Sequence, residues 1–406
     1  MNQVWAGLML ISILVAAVRW VGGDAEVLQK LVDSGFDMAK LSVDIAIGLV
    51  GLLTLWSGLF RIAEMAGLVE KLSRALSPLF SRLMPEVPPG HPAQGAITMN
   101  LAANMLGLDN AATPLGIRAM QALQQLNPIA NTASNAQILF LVLNTSSVTL
   151  LPVTIFMYRA RAGAASPTDV FVPILLATTA STLAGLLAVM AIQKIRMDRV
   201  ILGSLAAFVA LVASFVYWLG QLPVDQLSQV SSTIASGLLL GVIALFILTG
   251  LIRKVRVYDE FVAGAKSGFE TAVMLIPYLV AMLVAIGMFR ASGALDLLLQ
   301  GIGSLLTAMG ITTAFVDALP VAFMKPFSGS GSRAMMLETI NAHGVDSLAG
   351  RLAAIMQGST ETTFYVLTVY FGVVGITRMR YALWAGLLCD AVGITTAIII
   401  GMWFFA

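Results

Sequence analysis

At 58% hydrophobic and 11% charged over 406 residues, the chain carries more apolar surface than a soluble core could hide, since ordinary soluble domains are about 25% charged. Its mean hydropathy of +0.91 marks a polytopic membrane protein. The net charge of +2, with no basic stripe interleaved with aromatics, excludes a nucleic-acid partner, and the lone Cys389 excludes an internal disulfide or a thiolate metal cluster.

A bilayer core takes roughly 20 apolar residues per helix. Nine segments qualify: 4–22, 43–62, 135–158, 169–193, 199–220, 231–252, 270–290, 350–372 and 380–404. The first follows Met-Asn-Gln, without the positive n-region of a secretory signal, and is expected to be a retained transmembrane helix. The intervals 64–133 and 293–348 are too apolar for plain loops, yet Gly, Pro and Asn interrupt them. Each predicts an amphipathic interfacial helix and then a broken helical hairpin dipping into the membrane. Irregular backbone survives there only where protein or water satisfies it. The expected fold is all-α and polytopic, with about nine transmembrane helices plus two broken re-entrant helical hairpins.

Short signatures recur in the same order. Gly58-Leu-Phe-Arg61 returns as Gly287-Met-Phe-Arg290, Ser146-Ser-Val-Thr149 as Ser359-Thr-Glu-Thr362, and Ile174-Leu-Leu-Ala177 as Gly386-Leu-Leu-Cys389. The second span then corresponds to the seventh, five crossings later, so the two repeats are expected to have inverted topology, an arrangement of secondary transporters. Three units follow: a first repeat at 1–195, linking helices at 196–256 and a second repeat at 257–406. Lys194, Arg196 and Arg199, then Arg253, Lys254 and Arg256, mark cytoplasmic loops, whereas 221–230 has neither Lys nor Arg. Arg378 and Arg380 agree. The N-terminus is then cytoplasmic and the C-terminus external, and Arg159 and Arg161 fall on the outer side against the rule.

Polar residues concentrate inside the apolar repeats. In the first, Pro85 to Pro92 is turn-rich, because four prolines cannot continue a helix. Asn100 and Asn104 share one helix face. Leu108-Asp-Asn-Ala-Ala-Thr-Pro114 predicts a break, with Asp109 or Asn110 capping the helix beyond it. Asn144-Thr-Ser-Ser-Val-Thr149 then sits in mid-span. The second repeat substitutes charge: Met324-Lys-Pro-Phe-Ser-Gly-Ser-Gly-Ser-Arg333 at the hairpin tip, and Gln357-Gly-Ser-Thr-Glu-Thr-Thr363 in the following span. Lys325, Arg333, Glu361 and Asp390 are expected to be the ionisable groups held from water, and such groups face a partner or an aqueous cavity. A plainer role competes with each. Ser and Thr in membrane helices bond neighbouring backbone, and Lys325 and Arg333 could pair structurally with Glu361 or Asp390. Arg61, Glu64, Arg290 and the charges of 70–82 suit interfacial helices, and His91 and His343 suit turns. Gly-Ser-Gly-Ser is not a phosphate loop, since no Gly-Lys-Thr follows. No nucleophile–base set or metal-ligand pattern occurs, so an enzyme is not expected.

The stretches His91-Pro92 through Asn104, Leu108 through Met120 and Asn144 through Pro152 resemble the spore maturation A family. Leu275 through Met282, Ile286 through Gly293, Lys325-Pro-Phe-Ser-Gly-Ser-Gly331 and Gln357 through Tyr365 resemble the spore maturation B family. The resemblance covers nearly the full length and implies a natural fusion of the two, with extra spans at 199–252. It implies membership of the nucleoside-recognition or gate group, which is similar to parts of concentrative nucleoside transporters and of the ferrous-iron permease. In spore formers the pair is implied in late core dehydration and cortex maturation, with no agreed substrate.

The leading expectation is a secondary transporter in the bacterial cytoplasmic membrane, moving a small solute through a midplane site between the repeats. Asn104, Asn110, Thr113, Asn144, Thr145 and Ser146 would contribute from the first repeat, and Ser328, Ser330, Gln357, Ser359 and Thr360 from the second. Glu361 and Asp390 are candidates for coupling to Na⁺ or H⁺, and Lys325 and Arg333 suggest an organic anion or zwitterion. A non-transporting scaffold of envelope maturation and a passive channel are the alternatives, and a homodimer is expected by analogy alone.

Overall fold

The computed structural model describes residues 2–88, 90–105, 109–146, 148–310 and 313–406. Among them no strand forms, and the β feature is one isolated bridge between Thr132 and Arg378. After α1 (Asn2–Val21), two runs of helices follow the same plan. The first is α2 (Val27–Met65), α3 (Leu68–Leu83), α4 (Pro92–Met105), α5 (Asp109–Gln125), α6 (Asn135–Thr145), α7 (Val153–Arg161) and α8 (Phe171–Gln193). Helices α9 (Arg199–Leu219) and α10 (Val224–Ile252) intervene. The second run is α11 (Val257–Ala291), α12 (Ala294–Ala308), α13 (Leu319–Met324, entered through a 3₁₀ turn at Val316–Ala318), α14 (Gly329–His343), α15 (Leu348–Gly358), α16 (Thr363–Val373) and α17 (Ala382–Phe405). Even the turns repeat: Gly163 after α7 and Gly375 after α16 both have positive φ, +79° and +70°, where a side chain would be strained.

This is an all-α polytopic membrane protein. Phe171–Gln193, Ile201–Leu219, Gln229–Ile252 and Ala382–Phe405 are each long and apolar enough to cross a bilayer. Leu283–Ala291 and Ala294–Leu305 form a further candidate bent by 73°. The interval 64–133 forms α3 and the helix pair α4–α5, and 293–348 forms α12 and the pair α13–α14.

Two of the nine expected spans are not single helices. Segment 135–158 is not one helix but α6 and α7, and 350–372 is α15 and α16. Both break at the repeated polar signature. In the first, three successive side chains turn back on the helix: Asn144 Nδ2 donates to the Phe140 carbonyl at 2.9 Å, Thr145 Oγ1 to Leu141 at 3.1 Å and Ser146 Oγ to Val142 at 2.8 Å. Side chains that compete for the backbone this way weaken a helix, and Pro152, at the N-cap of α7, donates no N–H. In the second, Ser359 Oγ takes the Met356 carbonyl at 2.8 Å as α15 ends.

Corresponding helices of the two runs pack antiparallel. A Cβ on Gly35 would lie 3.8 Å from Met288 Sδ, one on Gly58 2.6 Å from the Phe261 ring, and one on Gly264 2.5 Å from the Ser57 carbonyl oxygen. Early α2 therefore meets late α11 and late α2 meets early α11. Helices α8 and α17 also cross in opposite directions, Gly393 meeting Ser181 and Gly185 meeting Cys389. The broken helices divide between two cores. One core holds α7 and the start of α8 with α13, α14 and α15. The other holds α4, α5 and α6 with α16. Each core thus draws on both repeats, which forces the two breaks to cross.

Candidate functional site

At the crossing, Glu361 N donates to the Thr145 carbonyl at 2.8 Å, joining one break to the other. Each break is also tied to the hairpin of its own repeat. Leu150 N donates to the Met105 carbonyl at 3.0 Å, and Phe364 N to the Pro326 carbonyl at 2.9 Å. These paired bonds place Asn104 and Lys325 in equivalent positions, each one residue before the accepting carbonyl. Asn104 Nδ2 donates to Asn144 Oδ1 at 2.9 Å, and Lys325 Nζ to the Gln357 backbone carbonyl at 2.7 Å. The same hairpin-to-break link is therefore made twice, by a neutral amide and by an ammonium.

Helices α8 and α17 close over the breaks. Thr149 N donates to Thr178 Oγ1 at 3.4 Å in the first repeat, and Thr363 Oγ1 donates to Asp390 Oδ2 at 2.6 Å in the second. Thr182 Oγ1 bonds the Ser146 carbonyl, and Ser181 Oγ donates to the Cys389 carbonyl at 2.9 Å. Tyr370 OH lies 3.5 Å from both Asn100 Nδ2 and Asn144 Oδ1.

The sequence-predicted residues divide as follows. Asn104, Asn144, Thr145, Ser146, Lys325, Gln357, Ser359, Thr360 and Asp390 come together, and all but Asn104 are buried. Ser328 caps α14, accepting from Gly331 N at 2.9 Å, with Ser330 Oγ 3.2 Å from its hydroxyl. Arg333 sets its guanidinium over the Tyr158 ring of α7, 5.5 Å from the centroid. Asn110 and Thr113 lie on α5, their side chains outside the described residues. One expectation fails: Glu361 is exposed on the chain surface rather than buried, although its backbone N–H donates to the Thr145 carbonyl. Four buried oxygens, Asn100 Oδ1, Gln357 Oε1, Thr360 Oγ1 and Asp390 Oδ1, have no hydrogen-bond partner among the described residues. Buried polar atoms in proteins are normally paired, so this accumulation is chemical potential not yet used.

Tyr370, Thr178 and Thr182 were not singled out from sequence, and Thr363 entered only as the end of the polar run from Gln357. Thr178 was findable, because it follows Ile174–Ala177 as Asp390 follows Gly386–Cys389. Tyr370 lies within an apolar helix and gives no local signal.

Two clamps flank the crossing. In one, the loop after α7 meets the loop before α15: Arg159 Nη2 lies 2.8 Å from Asp169 Oδ1 and 3.2 Å from Asp346 Oδ1, and Arg351 Nε is 2.9 Å from Asp169 Oδ2. Arg159 also donates to the carbonyls of Val345 and Pro167, and both it and Asp169 are fully buried. In the other, the loop after α16 meets the loop before α6. Thr377 N and Arg378 N donate to the Asn131 carbonyl, Ala133 N to the Arg378 carbonyl, and Arg380 Nη1 to Asn135 Oδ1 at 2.9 Å. The loops are equivalent in the repeat plan, one clamp built of buried ion pairs and the other largely of backbone.

The family model described as nucleoside recognition, Gate, matches twice, over residues 46–161 and 272–377, which is more than half of the chain. The chain belongs to the Gate family. The two matches begin within α2 and α11 and end beyond α7 and α16, so each Gate unit contains one hairpin and one broken helix. Spore maturation protein B of Bacillus subtilis (strain 168) is 49% identical over 159 residues, covering 39% of this chain and 88% of that protein. Spore maturation protein A of the same organism is 41% identical over 180 residues, covering 44% of this chain and 89% of that protein. The two are separate proteins there, and this one chain matches both, as a fusion would. No solved structure matches the chain.

Proposed function

We propose that this protein is a secondary transporter of the bacterial cytoplasmic membrane, carrying a small polar or anionic solute between its two Gate units. The observation behind the proposal is the crossing of two broken helices, joined from Glu361 N to Thr145 O and surrounded by buried oxygens with bonding capacity left over. Broken helices expose backbone groups in mid-membrane, which is tolerable only where protein or a ligand satisfies them. Antiparallel packing of corresponding helices suits two inverted units that rock about a fixed centre. In this scheme α4–α5 and α13–α14 re-enter the membrane, and the two clamps close the site from opposite faces. Lys325 would meet the anionic part of the solute, the amides of Asn104 and Asn144 its neutral part, and Asp390 would carry the coupling charge.

The scaffold alternative draws its support from the first unit, where Asn104, Asn144, Thr145 and Ser146 all have partners within the protein. Thiol accessibility separates the two. In a Cys389→Ala background, Ser146→Cys and Ser359→Cys occupy fully buried positions. A transporter visits states open to each side, so both cysteines should react with a membrane-impermeant reagent from either face of the membrane. No reaction from either face, with a loop cysteine labelling normally, would refute transport and leave the scaffold.

A further inference from the structure

We infer that the break between α15 and α16 is a binding site for a single monovalent metal cation of the size of Na⁺, with Asp390, Thr360 and Gln357 as ligands; its role as the coupling ion rests on the transport proposal. Asp390, Thr360 and Gln357 are 2%, 4% and 7% exposed, and each holds an oxygen with no hydrogen-bond partner among the described residues. The Thr360 hydroxyl is close enough to the Asp390 carboxylate to act on it as a hydrogen-bond donor, but the two groups are not aligned into a full hydrogen bond, and Thr360 Oγ1 and Asp390 Oδ1 have no other partner among the described residues. Oxygens that face each other without bonding can be bridged by an ion. Gly393, one turn beyond Asp390, makes the approach possible: a Cβ there would lie 2.5 Å from Thr360 Cγ2 and 3.0 Å from the Ser359 carbonyl oxygen. The other carboxylate oxygen is held in place by Thr363 at 2.6 Å.

The kind of ion follows from the donors and the charge. All three are hard oxygens, which suit alkali and alkaline-earth ions and not soft metals. Among the described residues no group of three His, Cys, Asp or Glu could hold a transition metal. The site's one carboxylate feels the ammonium of Lys325, so a divalent ion would bury excess positive charge. A monovalent cation matches the single buried carboxylate of the site, Asp390, with the least added positive charge beside Lys325. The C-terminal end of α15 points into the break, and the dipole there favours a cation.

The first repeat is an internal control. There Asn144 Oδ1 accepts from Asn104, and Thr178, the counterpart of Asp390, gives its hydroxyl to Ile174 O at 3.0 Å. No carboxylate and no unpaired oxygen among these positions is left for an ion. These positions of the first break therefore offer no equivalent cation site.

The test is thermal unfolding of the full-length protein in detergent, with NaCl replaced by choline chloride at constant ionic strength. A saturable one-site rise of Tm with Na⁺ is expected in the parent and in Thr178→Val. Asp390→Asn should lose it, and Thr360→Val, which changes no charge and little volume, should weaken the apparent Na⁺ affinity about tenfold or more. No Na⁺ response in the parent, stabilisation by protons alone, or an equal response in Thr360→Val would each overturn the site. A Na⁺ response in a protein whose Ser146→Cys and Ser359→Cys stay inert from both faces would uphold the ion and refute transport.

Discussion

Replacing Asp169 by Asn probes the buried clamp most directly. Each oxygen of its carboxylate serves a different guanidinium, Arg159 at 2.8 Å and Arg351 at 2.9 Å. Arg159 and Asp169 are both fully buried. An amide in that place keeps the shape, removes the charge and turns an NH₂ towards one of the two guanidiniums. Breaking one side of a buried pair costs about 3–5 kcal/mol, because the charge left behind cannot return to water. Asp346 meets the same arginines, but its side chain is 33% exposed, so Asp346→Asn should cost only about 1 kcal/mol after solvent screening. The assay is reversible unfolding in mixed micelles, with a double-mutant cycle pairing Asp169→Asn and Arg351→Gln. Equal losses for the two aspartates, or no coupling between Asp169 and Arg351, would refute the view that burial gives this clamp its strength. If the clamp is also a gate, Asp169→Asn should speed labelling of Ser146→Cys from the face that carries the 162–170 loop.

Gly264→Ala should cost about 1–3 kcal/mol, because its Cβ would press on the Ser57 carbonyl and on Gly58 Cα at 3.0 Å, both backbone; Gly237→Ala on α10, with nothing within 4 Å, should be neutral or better, and equal effects would argue against the tight α2–α11 seam. In a Cys389→Ala background, Gly35→Cys should cross-link oxidatively with Met288→Cys and not with Gly264→Cys, and the opposite result would mean that α2 and α11 run parallel. Lys325→Met should destabilise by about 1.5–3 kcal/mol, the worth of a charge-assisted hydrogen bond, against about 1 kcal/mol for Asn104→Leu, that of a neutral one; identical losses in the same unfolding assay would remove the distinction between the two hairpin links.

Much of the architecture was legible in the sequence because it is local. Hydropathy locates apolar helices, Pro and Gly locate hairpin tips, and recurring tetrapeptides reveal the duplication. The breaks between α6 and α7 and between α15 and α16 escaped because a hydropathy window measures composition, and Val148, Leu150 and Leu151 keep the average apolar while the backbone leaves the helix. The crossing itself is a contact between residues more than half the chain apart, Thr145 and Glu361. Burial was misjudged in both directions. Glu361 is exposed, whereas Arg159, which as a loop charge opposed the expected orientation, is wholly buried among Asp169, Asp346 and backbone carbonyls. An arginine committed to the protein interior is a weak witness to the positive-inside rule, which concerns loop charges. Much of that objection to a cytoplasmic N-terminus therefore disappears, leaving Arg161.

Duplication explains why the two units can differ so sharply in chemistry while keeping one geometry. The hairpin-to-break link, the helix closing over the break and the flanking clamp are each present twice, and in each pair charge or unspent polarity lies on one side. At the breaks Lys325 stands where Asn104 does and Asp390 where Thr178 does, whereas the ionic clamp is shared, with Arg159 and Asp169 from the first unit and Asp346 and Arg351 from the second. Had the charges been fold glue alone, either unit could have dispensed with them, because the neutral copy shows that amides and hydroxyls make the same connections. Ionisable groups inside a membrane protein are costly to keep, and the neutral break of the first unit demonstrates a cheaper solution in the same chain. The charged break is thus the one in which the cost must be offset by binding something, and three of the four unpaired oxygens at the crossing, those of Gln357, Thr360 and Asp390, lie there, against Asn100 Oδ1 in the other unit.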